Sequence, residues 1–107
     1  SLPFPMDPER PRGPSFVIKG VTRSGQRFRP SDWADRLCGV MSSFQPGAMG
    51  PGAHLRYSPF VQPIDDGEVK CVRVDARLDE LYPMAYRFCL NFAKDNDLEV
   101  VELGGAG

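Results

Sequence analysis

The run Pro30-Ser31-Asp32-Trp33-Ala34-Asp35-Arg36-Leu37-Cys38-Gly39-Val40-Met41-Ser42-Ser43-Phe44 carries the pattern from which the fold is read. Trp33, Leu37, Val40, Met41 and Phe44 recur at i, i+4, i+7, i+8 and i+11, which sets five large apolar groups on one stripe of a helix about three turns long. Ser31 is the expected N-cap, because its hydroxyl accepts from an unpaired first-turn amide, and Asp32 adds negative charge at the end the helix dipole favours. Pro46 and Gly47 stop the helix, and Gln45 to Ala53 form a loop rich in Gly and Pro. A one-sided stripe requires a second layer to bury it, with Trp33 as a core anchor.

That layer is read from the flanks. Phe16, Val17, Ile18 and Val21 make a first strand; Arg23-Ser24-Gly25 is a turn, and Gln26 to Phe28 form a short return. His54 to Ile64 reads as extended, but Pro59 and Pro63 each lack a ladder donor and place it at an edge. Asp65-Asp66-Gly67 then turns the chain into a stronger strand, Glu68 to Val74. Asp79 is the expected cap of a second helix, with Pro83 in its first turn and Leu81, Met84, Ala85, Phe88, Cys89 and Phe92 on its apolar face. Asp95-Asn96-Asp97 ends it, and Leu98, Val100 and Val101 form a last strand. The order β, α, β, β, α, β with both helices on one face of a mostly antiparallel sheet of four or five strands is an α+β fold, a ferredoxin-like sandwich in the first instance. Trp33 and Phe88 are expected to face inward.

The 107 residues suffice for one core. Residues 1–14 contain five prolines and read as a disordered arm; residues 15–103 form the domain, and residues 104–107 fray. An apolar fraction of 41% and a charged fraction of 25% are those of a folding chain. No run is long and apolar enough for a membrane span, and no secretory signal is recognised, so no membrane partner and a cytoplasmic location are expected. Cys38, Cys71 and Cys89 are odd in number and widely spaced, which fits a reducing compartment better than a disulfide framework. Charge is divided along the chain: residues 1–60 hold eight Lys/Arg against four Asp/Glu, and residues 61–107 hold five against ten. Such separation steers an acidic partner to one face or favours contact between copies.

Four stretches carry a resemblance: the run from Phe28 to Met41, Tyr57-Ser58-Pro59, Val69-Lys70-Cys71-Val72, and Asn91 to Leu98. Together they resemble a proteobacterial family of small uncharacterised proteins, catalogued as a domain of unknown function, over about Phe16 to Glu102. The resemblance implies a free-standing bacterial cytoplasmic protein and transfers no catalytic positions.

Candidate chemistry is sparse. A metal site needs converging His, Cys or carboxylate ligands, and the single histidine, His54, has no cysteine near it in sequence, so neither metal nor cofactor is expected. Cys38 or Cys71 as nucleophile would need His54 as base, whereas Cys71 and Cys89 sit in apolar patterns that suit ordinary buried thiols. The loop Pro46 to Gly52 leaves a helix for a strand, the reverse of a phosphate loop, and Asp65, Asp66 and Glu68 lack calcium-site spacing. The leading reading is therefore a non-enzymatic interaction or regulatory module, self-associating through a sheet edge or the open sheet face. The alternative is single-stranded nucleic-acid binding, with Tyr57, Phe60, Arg56, Lys70 and Arg73 on the open face and Arg27 and Arg29 extending it. A small-ligand or catalytic pocket near His54, Tyr57 and the Gly/Pro loop is the third. The functional surface is assigned to Arg29, His54, Arg56, Tyr57 and Arg73, polar and aromatic groups that flank a loop while core residues occupy the helical stripes.

Overall fold

The computed structural model describes residues 13–46 and 57–103. The rest of the arm, the greater part of the Gly/Pro loop with His54 and Arg56, and residues 104–107 lie outside the described residues. The elements run β1 (Phe16–Thr22), α1 (Trp33–Val40), β2 (Val61–Asp65), β3 (Lys70–Val74), α2 (Arg77–Leu81), α3 (Pro83–Asp95) and β4 (Leu98–Glu102). The sheet order is β2-β3-β1-β4 with every neighbouring pair antiparallel, the arrangement of a ferredoxin-like α+β sandwich.

Register fixes the core face. Phe16 lies opposite Val74, which lies opposite Val61, and Ile18 lies opposite Val72, so these side chains share one side of the sheet. All five are buried with Trp33, Leu37, Cys38, Tyr86, Cys89 and Leu98, and each such large apolar side chain stabilises the fold by roughly 1.5–3 kcal/mol. The first turn forms as read: Gly25 takes φ 95, Thr22 donates its backbone amide to the Gln26 carbonyl, and Phe28 donates to Gly20. The expected return strand reduces to one bridge, Val21 to Arg27. Pro63 lies in β2, an edge strand, where its missing amide breaks no ladder, and Gly67 closes the hairpin at φ 78. At the far end Asp97 adopts φ 57 after α3, and Asn96 Nδ2 donates to the Phe92 carbonyl at 2.9 Å.

Three expectations about the helices are corrected. Ser31 does not cap α1; the N-cap is Asp32, whose carboxylate accepts from Arg36 Nε at 3.0 Å rather than from a backbone amide. Val40 is 61% exposed and Phe88 is 46% exposed, while Trp33 is buried at 4%. At about 100° per residue, the buried arc of α1 runs through Trp33, Ala34, Leu37, Cys38 and Met41, and Val40 falls near its rim. In α3 the arc is centred on Ala85, Cys89 and Ala93, small residues that let the helix approach the sheet closely, and this turns Phe88 sideways. Counting large apolar residues located the stripe but misjudged its centre.

The third correction concerns Asp79. Pro83 biases the preceding residue away from helical geometry, and Tyr82 sits at φ −141, so the expected single helix is divided into α2 and α3 with Pro83 opening the latter. Asp79 falls inside α2, is buried, and its Oδ2 accepts the Gly13 amide at 2.7 Å. Tyr86 Oη donates to the Pro14 carbonyl at 2.7 Å, and a methyl group at Gly13 would collide with the Tyr86 hydroxyl. Gly13 and Pro14, assigned on sequence to the arm, are thus fastened to the domain.

Candidate functional site

The side-turned residues of α1 and α3 meet in a cavity of about 260 Å³ lined by Phe28, Pro30, Trp33, Arg36, Leu37, Val40, Phe88 and Phe92. Gly20 in β1, by its missing side chain, lets the Trp33 indole lie against the sheet; a Cβ there would meet the Lys70 carbonyl oxygen and stand 2.9 Å from Trp33 Nε1. Trp33 stacks on Phe92 at 5.9 Å and 14°, and Phe28 meets both rings edge-on at 5.5 and 6.0 Å. Val40 and Phe88 form the open walls, and Met84, one turn before Phe88, is 82% exposed. Arg36 is the one charged lining residue. Arg29, between the lining residues Phe28 and Pro30, is exposed and makes no ion pair among the described residues. The lining is apolar apart from Arg36, whose guanidinium is held by the Asp32 carboxylate at 3.0 Å.

The residues named from sequence do not gather at one place. Arg29 stands between Phe28 and Pro30, which line this groove, and is not itself among the lining residues. Tyr57 lies on the helix side, where partial burial and then the neighbouring Asp35 carboxylate push its phenol up from the ordinary value. Arg73 alternates with the core residues Val72 and Val74 and therefore projects from the opposite face of the sheet. His54 and Arg56 lie outside the described residues.

That opposite face carries Val17, Lys19, Gln62, Arg73 and Val101, and no aromatic ring stands on its described strand positions. Phe60, expected there as a stacking platform, is buried in the core with the Arg77 guanidinium 5.4 Å above its ring. Lys19 pairs with Asp66 at 3.6 Å and Arg73 with Asp75 at 3.9 Å, so carboxylates already meet these cations.

The thiols are poorly placed for attack. Burial, followed by Asp35 and Cys89, pushes Cys38 up to about 12, and burial alone pushes Cys89 up to about 12. Cys71 is also buried and raised, but it sits on the open side of the sheet beneath Lys19 and Ile64, outside the main core. Among the described residues no group of three or more His, Cys, Asp or Glu is placed to hold a metal ion, and no helix is long and apolar enough to cross a membrane.

Sequence reading missed the groove because each lining residue was counted as core or left out. The available signal was the pairing of small residues at the arc centre, Ala85, Cys89 and Ala93, with large ones off it, Met84 and Phe88. No curated protein matches the chain. A solution structure described as the first structural representative of its family is similar at 36% identity, with 88% of this chain and 84% of that chain covered and a TM-score of 0.71. Its likeness in fold accompanies a match of the model for a protein of unknown function, DUF3579, over residues 13–103, a span that begins at the fastened Gly13. The chain belongs to the DUF3579 family.

Proposed function

We propose that the protein is a non-enzymatic interaction module that receives a partner in the groove between α1 and α3. The observation that carries this reading is the apolar cavity itself: Val40 and Phe88 stand open to water above a floor of Trp33, Leu37 and Phe92, and Met84, one turn before Phe88 on α3, is exposed as well. The sheet edges suit docking less well. β2 carries Pro63 and β4 carries Glu99 and Glu102, features that oppose addition of another strand. Of the residues named from sequence, Arg29 is the one whose two chain neighbours, Phe28 and Pro30, line the groove. Three unpaired, buried cysteines support work in a reducing compartment, and we place the module in the bacterial cytoplasm.

The test is copurification from the native cell with the tagged chain and with Phe88→Asp. Proteins retained by the first and lost with the second are the expected result. An identical set on both would contradict the groove as the docking surface.

A further inference from the structure

We draw no further inference here: the strongest candidate, the apolar groove between α1 and α3, belongs to the surface already described, and nothing in the structure shows what covers it, since its charged lining residue, Arg36, is already held by Asp32.

Discussion

Tyr86 and Phe88 are aromatic rings two residues apart on α3, and they meet opposite fates. Two helical steps of about 100° each set them on nearly opposite sides of the helix. Tyr86 is 5% exposed, lies edge-on to Phe16 at 5.4 Å, and spends its hydroxyl on the Pro14 carbonyl. Phe88 is 46% exposed above a cavity that nothing in the chain's described residues fills. The first side is closed by chain and hydrogen bonds together; the second is apolar and open. Single exposed apolar side chains are ordinary, but Val40 and Phe88 line one cavity, and apolar surface gathered in this way marks a site of interaction. The contrast therefore separates what holds the fold from what is offered to a partner.

The comparison can be broken from the closed side first. Tyr86→Ala should lower unfolding free energy by about 3–5 kcal/mol in urea titration, since it empties a ring-sized volume and leaves the Pro14 carbonyl without its donor. A loss below about 1 kcal/mol would mean that this side is not closed. Gly13→Ala should cost about 1–3 kcal/mol by the same measurement, because the added methyl meets a hydroxyl that is itself tied down.

Acid sharpens the contrast further. Burial by itself would raise the Asp75 carboxyl, but hydrogen bonds from the Arg77 side chain and backbone, with the charges of Arg77 and Arg73, hold it below the ordinary value. A carboxyl depressed in the folded state contributes its full stability above the unfolded value of about 3.9 and loses it as pH falls through that value toward the folded one. The part of acid destabilisation due to this group should vanish in Asp75→Asn, measured as urea midpoint against pH between about 5 and 2.5. The smallest effect is expected on the open side: Phe88→Ser should change stability by less than about 1 kcal/mol while removing partner binding. A loss comparable to that of Tyr86→Ala would make Phe88 a core residue and end the distinction.

Much of the architecture was legible from the sequence, and the reasons are local. The turns at Gly25 and Gly67, the edge position forced by Pro63, and the arc of α1 from Trp33 to Met41 each follow from a residue type whose backbone or volume admits few alternatives. The division of α2 from α3 followed from Pro83, whose effect on Tyr82 was underweighted against the helical periodicity on either side. The site was far less legible. Phe28 and Phe92 are separated by more than sixty positions, and their convergence on Trp33 depends on how closely α3 approaches the sheet through Ala85, Cys89 and Ala93. Polar and aromatic residues near a loop drew attention to Tyr57 and Arg73, which the sheet separates. Of the described members of that set, only Arg29 has chain neighbours that line the groove.

The central claim is that the groove between α1 and α3 is where this molecule is met. Its most direct measurement is nuclear magnetic resonance of the isotope-labelled full chain titrated with a synthetic amphipathic helical peptide that carries a Leu/Phe stripe. The account predicts shifts concentrated on the Trp33 indole, Leu37, Val40, Phe88 and Phe92, with Val17, Arg73 and Val101 unmoved. Shifts centred on the open sheet face, with Phe88 and the Trp33 indole unchanged, would contradict it.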